Sequence, residues 1–305
     1  MKAVRIHRQG DHDDLVYEDA PRSAAATGDV LVEVHAASFV PDELTWPGTW
    51  VDRAGRDRAP SIPGHEVAGV VAEVRYGTTG LNPGDRVFGL TDWHRDGAAA
   101  EYVAVEARNL AVIPDGLGFE EAAALPLAGL TAWQGLFVHG GLRAGQRVVV
   151  HGAAGGTGTL AVQLARHAGA HVIATGRGRA AALAAELGAH AFVDLEQQPL
   201  RPAVGQVDLV FDTIGGDLLA RSADLVGPGG ALVSITAPPP VAPAGGRAAF
   251  FIVEPDHVQL AELARLAGSG AVRAHVGAVH PLAEAAKAFA AKQRGIPGKV
   301  VLSVR

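Results

Sequence analysis

The spacing of apolar positions changes character near the middle of the chain. From Met1 to about Leu117 short segments alternate or run apolar, as in Val30-Leu31-Val32-Glu33-Val34-His35-Ala36 and Val67 to Val74, which predicts strands. Turn residues separate them at Thr27-Gly28-Asp29, Tyr76 to Gly80 and Asn82-Pro83-Gly84-Asp85, so this part reads as a compact, β-rich, barrel-like domain. Short helical pieces follow at Phe119 to Ala124 and Leu130 to Trp133. Strands and helices then alternate. Arg147–His151 and His171–Thr175 flank a helix with Leu160, Ala161, Leu164, Ala165 and Ala168 on one face, and a second helix runs from Arg179 to Leu187. Further strands are predicted at 191–194, 207–212, 231–235 and 248–253, giving an α/β domain with a doubly wound parallel sheet. The end reads as helix 256–267, a strand near 272–279, helix 282–293 and strand 299–304. β-rich sequence on both sides of the βαβ region implies domains at 1–118 and 119–255, with 256–305 returning to the first and a cofactor in the cleft between them.

The candidate chemistry centres on Gly152-Ala153-Ala154-Gly155-Gly156-Thr157-Gly158, between a predicted strand and a predicted helix. That order aims backbone N–H groups and a helix N-terminus at one point, which suits a pyrophosphate. Ala153 replaces the first glycine of the dinucleotide fingerprint, while Gly155 and Gly158 fill the other two places. A Cβ at Gly155 would block the phosphates, and one at Gly158 would push the helix off the strand. The alternative is a tight turn in some other α/β protein.

The end of the second strand bears on which dinucleotide is bound. An NAD enzyme usually offers a carboxylate there to the ribose hydroxyls, whereas this chain has Thr175-Gly176-Arg177-Gly178-Arg179. One charge-assisted hydrogen bond from a guanidinium to a 2′-phosphate contributes roughly 1.5–3 kcal/mol, enough to favour NADPH about tenfold. The alternative is that both arginines are solvated loop residues.

Composition narrows the classes. A net charge of -6 and a pI near 6.1 argue against a nucleic-acid partner. With no cysteine, disulfides, thiolate metal sites and a cysteine nucleophile are all excluded. Met1 to Ile6 alternates like a strand instead of opening a signal peptide, and no apolar run is long enough to span a bilayer. A cytoplasmic protein is the expectation.

Several segments in one order carry a resemblance: Ile62 to Val71, Gly84 to Gly89, Leu130-Thr131-Ala132-Trp133, His151 to Gly158, Val210 to Gly216 and Gly298 to Leu302. On these the chain resembles the medium-chain dehydrogenase/reductases, in the zinc-independent quinone oxidoreductase branch that includes zeta-crystallin. The resemblance implies a Rossmann domain beside a GroES-like barrel domain, with NADPH as cofactor. It implies Gly155, Gly156, Thr157 and Gly158 at the pyrophosphate and Thr175, Gly176 and Arg177 near the 2′-phosphate. Thr131 would sit by the nicotinamide ribose, and Ile235, Thr236, Phe251, Ile252 and Val253 around the nicotinamide. Ser38-Phe39-Val40-Pro41-Asp42-Glu43 matches the branch's Ser-x-Asn-Pro-x-Asp. Val40 therefore replaces an Asn that normally faces nicotinamide and substrate.

Gly64-His65-Glu66 matches the signature that carries a zinc-ligating His in alcohol dehydrogenases, but a catalytic zinc needs three protein ligands and the usual cysteine positions hold none. His65 reads as a cleft or core histidine, and Asp92, His94 and Asp96 as a solvated loop. The expectation is hydride transfer from NADPH to a quinone or an enone without metal. Trp46, Trp50 and Trp93, with Val40, are candidate substrate walls; for the indoles the alternative is ordinary packing. Competing readings are an enoyl-thioester reductase of a biosynthetic pathway and a non-catalytic NADPH-binding redox sensor. The resemblance also implies a homodimer joined at the strand around 248–253.

Overall fold

The computed structural model describes residues 1–305, the side chain of Pro41 excepted. It resolves into two compact units. One comprises Met1–Leu127, Pro255–Gly270 and Ala274–Arg305; the other comprises Ala128–Glu254 and Ala271–Arg273.

The first unit is built on a seven-stranded sheet. Its order is Val276–Pro281, Lys299–Ser303, Asp29–Ser38, Glu66–Val74, Arg86–Leu90 and Leu110–Val112, with Tyr102–Glu106 branching from Asp29–Ser38. Asp29–Ser38 lies at the centre, and its Val30, Val32, Val34, Ala36 and Ala37 are fully buried, as its run of small and β-branched residues requires. The last strand of the chain pairs with it antiparallel, Val301 opposite Ser38 and Ser303 opposite Ala36. Phe39, just beyond the central strand, stacks on Phe289 of helix Ala285–Gln293 with ring centroids 3.7 Å apart. These two contacts bind the C-terminal segment to the N-terminal sheet.

Helix Phe119–Ala123, placed with the second domain on its sequence, packs instead in the first unit. Phe119 stacks on His35 at 4.2 Å, and the Arg86 guanidinium lies 4.6 Å from the centre of its ring. The compact units consequently divide after Leu127 and not at 118.

The second unit is a six-stranded, wholly parallel sheet ordered Ala191–Asp194, His171–Gly176, Arg147–His151, Val207–Asp212, Val226–Ser234 and Arg247–Phe250. Numbered within this unit, the order is 3-2-1-4-5-6, that of the doubly wound dinucleotide fold, with its topological switch point between the first and fourth strands. His151 and Asp212 end those strands opposite each other.

Sequence expectations shift in several places: the strand expected near 272–279 forms at Val276–Pro281, and the helix expected from Arg179 to Leu187 is Ala181–Glu186. The edge strand stops at Phe250, and Phe251 to Asp256 is irregular. The preceding strand starts at Val226, earlier than its apolar run. Helix Pro126–Trp133 continues into a π-helical turn, Gln134–His139, that no periodicity announces. Among the described residues no helix is long and apolar enough to cross a membrane.

Candidate active site

In the second unit the glycine turn closes on itself. Gly152 has a φ of +77°, its carbonyl accepts from Gly155 N–H at 2.9 Å, and Gly155 is the N-cap of helix Gly156–His167. The carbonyl of Thr175, on the neighbouring strand, accepts from Gly152 N–H at 3.1 Å and Ala153 N–H at 3.3 Å. Gly158 lies so close beneath the turn that an added Cβ would sit 2.1 Å from Gly152 O and 2.9 Å from Ala153 Cα. Gly155, in contrast, is exposed, and a Cβ there would meet only Gly152 O at 3.2 Å. The first turn of the helix leaves its N–H groups without intrahelical partners, so the segment presents donors and positive potential at the switch point.

A buried hydrogen-bond chain fixes this turn from below. Ser222 Oγ donates to Leu218 O at 2.6 Å, so it accepts from His151 Nε2–H at 2.9 Å, which leaves His151 Nδ1 to accept from Thr175 Oγ1 at 2.7 Å. His151 is fully buried, and burial pulls its pKa down to about 3, so the ring stays neutral and its tautomer is set by its partners. Thr175 thereby turns its hydroxyl into the core and faces the loop with its carbonyl alone. The resemblance implies Thr175 as a cofactor contact, and nothing in the sequence assigns His151 a role.

Of the other predicted residues of this unit, Ile235 and Thr236 follow the carboxyl end of strand Val226–Ser234, and Phe251, Ile252 and Val253 that of strand Arg247–Phe250, while Thr131 lies buried in helix Pro126–Trp133. Asp212 is buried, and its carboxylate accepts from Gly215 N–H at 3.0 Å, Ser234 Oγ at 3.1 Å and Thr236 Oγ1 at 3.4 Å. Burial raises its pKa against those donors. Thr236 and Ile235 are thus held to Asp212, Ile235 through its N–H to Asp212 O at 3.2 Å. Gln134, one turn beyond Thr131, grips Glu254 twice: Nε2 donates to Glu254 O at 2.8 Å, and Oε1 accepts from Glu254 N–H at 3.1 Å. Phe251 stacks on His139 with centroids 4.4 Å apart. These side-chain contacts replace a ladder after Phe250 and explain the irregular course of Phe251, Ile252 and Val253, of which Ile252 is 71% exposed.

The Thr175–Arg179 loop is less purely basic than its sequence. Arg177 Nε lies 3.5 Å from Glu196 Oε1, and Asp194 ends the adjoining strand opposite Gly176. Glu196 therefore stands beside Arg177 and Asp194 beside Gly178, both supplied by the end of the neighbouring strand and the turn after it.

In the first unit Trp46, His65 and Trp93 form an aromatic cluster. Trp46 lies nearly parallel to His65 with centroids 6.2 Å apart, and Trp93 makes T-shaped pairs with both, at 5.2 and 5.3 Å between centroids. His65 is buried, Nδ1 is 2.7 Å from Thr91 Oγ1, and burial with nearby Arg58 lowers its pKa to about 3. Trp50 is spent differently: its Nε1–H donates to Leu44 O at 3.0 Å and its ring packs against the core. Val40 is half-buried at the start of the turn that leads to Trp46.

These donors do not fit a zinc ion. His65 Nδ1 is engaged by Thr91, Val40 offers no side-chain donor atom, and the acids of the Asp92–Asp96 loop are taken by Arg53, at 2.9 and 3.1 Å, and Arg58, at 3.3 Å. Among the described residues no three His, Asp or Glu side chains converge as metal ligands do.

Glu43 holds this wall together. Its Oε1 accepts from Gly64 N–H at 2.6 Å, its Oε2 from Val40 N–H at 3.4 Å, and its carbonyl from Trp46 N–H at 3.3 Å and the Thr49 hydroxyl. Burial pushes its carboxyl up to about 8, aided by Glu66 and opposed by those N–H donors and by Lys299. An unfolded Glu titrates near 4.3, so between there and pH 8 the folded state holds a proton that the unfolded state has lost. Its contribution to stability is full below pH 4 and is lost as pH rises through 8. His65 and His151 act with the opposite sign between pH 3 and 6.5, so the difference between wild type and Glu43→Gln isolates Glu43. In urea titrations from pH 5 to 8.5, Glu43→Gln is expected to gain stability relative to wild type as pH rises; parallel curves would show that Glu43 titrates normally.

Comparison with known proteins places the chain. The alcohol dehydrogenase GroES-like domain family matches residues 26–115, and the zinc-binding dehydrogenase family matches residues 187–302. The 2-methylene-furan-3-one reductase of Solanum lycopersicum is 33% identical over 289 residues, covering 90% of this chain and 71% of that protein. The quinone oxidoreductase of Coxiella burnetii superposes with a TM-score of 0.90 at 29% identity, over 100% of this chain and 99% of the other. A mycobacterial protein solved in complex with NADPH gives 0.85 at 28%, over 100% of both. The chain is also 40% identical over 234 residues to the spectinabilin polyketide synthase system protein NorB of Streptomyces orinoci, where the match spans 74% of this chain and only 10% of that much longer protein. The Rossmann unit, the GroES-like unit and these relatives together establish that the chain belongs to the medium-chain dehydrogenase/reductase superfamily of oxidoreductases, in its quinone oxidoreductase branch.

Proposed function

We propose that this protein is a zinc-independent, NADPH-dependent reductase that passes hydride to quinones or to the β-carbon of enones. The observation that carries the reading is the turn from Gly152 to Gly158, whose close backbone packing and exposed Gly155 fit a pyrophosphate at the switch point of a 3-2-1-4-5-6 sheet. In this reading Gly155, Gly156, Thr157 and Gly158 hold the pyrophosphate, and Gly176 and Arg177 the adenosine ribose, with Thr175 contributing through its backbone. Thr131, Ile235, Thr236, Phe251, Ile252 and Val253 surround the nicotinamide, which when bound supplies the hydride. Gln134 and Asp212 fix those surroundings, and orientation of this kind is worth roughly 7–11 kcal/mol of a barrier. Val40, Trp46 and Trp93 offer an apolar, aromatic surface to a flat acceptor. The proton that completes reduction comes from solvent or a nearby hydroxyl.

The names of the tomato, Coxiella and NADPH-complexed relatives support an enone or quinone acceptor and a reduced nicotinamide donor. Similarity to a polyketide synthase protein favours an enoyl thioester as the second reading. We also propose a homodimer joined along Arg247–Phe250, the edge of the parallel sheet, where Phe250 is 40% exposed. The test is NADPH oxidation with a benzoquinone, a naphthoquinone, a cyclic enone and an enoyl thioester, with and without a chelator. Chelator-insensitive turnover of a quinone or the cyclic enone is expected. Turnover confined to the thioester would select the second reading, and loss of activity to the chelator would overturn zinc independence. NADPH binding without any turnover would overturn catalysis.

A further inference from the structure

Asp194 and Glu196 stand where the sequence left the adenosine-ribose loop with arginines alone. Asp194 ends strand Ala191–Asp194 in register with Gly176, so its carboxylate emerges at the same end of the sheet as the Gly176-Arg177-Gly178 turn. A Cβ on Gly178 would lie 2.6 Å from Asp194 Oδ2, so the bare glycine leaves that oxygen room close to the loop backbone. Asp194 Oδ1 accepts from Glu196 N–H at 3.1 Å, which turns the chain back toward the loop. Glu196 Oε1 then reaches Arg177 Nε at 3.5 Å, with the two side chains 64% and 69% exposed.

A 2′-phosphate placed here meets Arg177 but must displace Glu196 from it and bear repulsion from both acids. A free 2′-hydroxyl meets carboxylates that accept its proton in a hydrogen bond, the contact an NAD enzyme makes from its second strand. We propose that Asp194 and Glu196 are specificity-determining residues that oppose Arg177 and hold the preference for NADPH over NADH low enough for the protein to use both. This rests on the reading that the loop takes the adenosine ribose.

The experiment measures binding of NADPH, NADH, 2′,5′-ADP and 5′-AMP to wild type and to Glu196→Gln, Asp194→Asn and Arg177→Gln, at low and high salt. Because Glu196 is exposed, Glu196→Gln is expected to tighten NADPH and 2′,5′-ADP by roughly two- to fivefold at low salt, while NADH and 5′-AMP, whose 2′-hydroxyl loses a charged acceptor, bind no tighter. The gain shrinks at high salt, where exposed charges are screened. Asp194→Asn, which keeps an acceptor for Glu196 N–H, moves the NADPH:NADH ratio in the same direction. Arg177→Gln lowers it. If Arg177→Gln weakens the 2′-phosphate ligands while neither acid variant moves the ratio, this inference fails and the ribose assignment stands. If Arg177→Gln is also silent and 2′,5′-ADP binds no better than 5′-AMP, the ribose assignment fails and takes the inference with it.

Discussion

Gly158→Ala is expected to reduce NADPH affinity by about two orders of magnitude and to lower the melting temperature, whereas Gly155→Ala lowers affinity with little change in melting. At Gly158 the new methyl carbon would lie 2.1 Å from Gly152 O, 2.8 Å from Gly152 C and 2.9 Å from Ala153 Cα. All three are backbone atoms of a turn whose N–H groups are bonded to Thr175 O, so no side-chain rotation relieves the clash. Either the helix backs away from the strand or the turn opens. Overpacking of this kind typically costs about 1–3 kcal/mol, and a displacement near 1 Å at a binding locus can cost about 100-fold. At Gly155 the backbone is extended, with φ of -74° and ψ of 166°, and the methyl would meet only Gly152 O at 3.2 Å. Its penalty falls on the ligand that approaches this exposed position. Calorimetric NADPH titration and thermal melting of both variants separate the cases. Wild-type melting and affinity for Gly158→Ala would mean that the turn is not sterically closed.

The parts of this site that were legible in the sequence are those in which local chemistry and tertiary role coincide. Arg147–His151 and Val207–Asp212 are short apolar runs buried along nearly their whole length, and their ends fall where their composition changes. Gly158 was readable because only glycine tolerates the approach it makes. The order of motifs along the chain gave the fold class. Features fixed by long-range partners were not readable. Nothing near Thr175 shows that its hydroxyl belongs to His151, 24 residues away. Nothing near Arg177 shows that Asp194 arrives on the next strand, so a loop that is basic in sequence is electrically mixed in space. Phe251 to Val253 has strand composition, but Gln134 and His139 engage the segment first. Trp50 resembled Trp46 and Trp93 in composition and position, yet its N–H partner on Leu44 directs it into packing.

Lys299→Met is expected to destabilise the first unit by about 3–5 kcal/mol, because it strips the partner from a carboxylate that has no access to water. Glu66 is fully buried; one oxygen accepts from Leu127 N–H at 3.0 Å and the other is bound by Lys299 Nζ. Lys299 is itself 4% exposed and also donates to Phe39 O at 3.2 Å. The pair thus joins the last strand of the chain to the Gly64-His65-Glu66 turn and to the carbonyl that precedes Val40, and disturbance of it reaches the aromatic wall through the backbone. Met matches the aliphatic stem of Lys, so the loss is electrostatic and not a cavity. Adding Glu66→Gln to Lys299→Met removes the orphaned charge while keeping an acceptor for Leu127 N–H, and it is expected to recover most of the lost stability. Urea unfolding of the two single variants and the double gives the coupling directly. A double variant as unstable as Lys299→Met alone would place the cost in the lost bond to Phe39 O, and a Lys299→Met protein as stable as wild type would show that water reaches Glu66 after all.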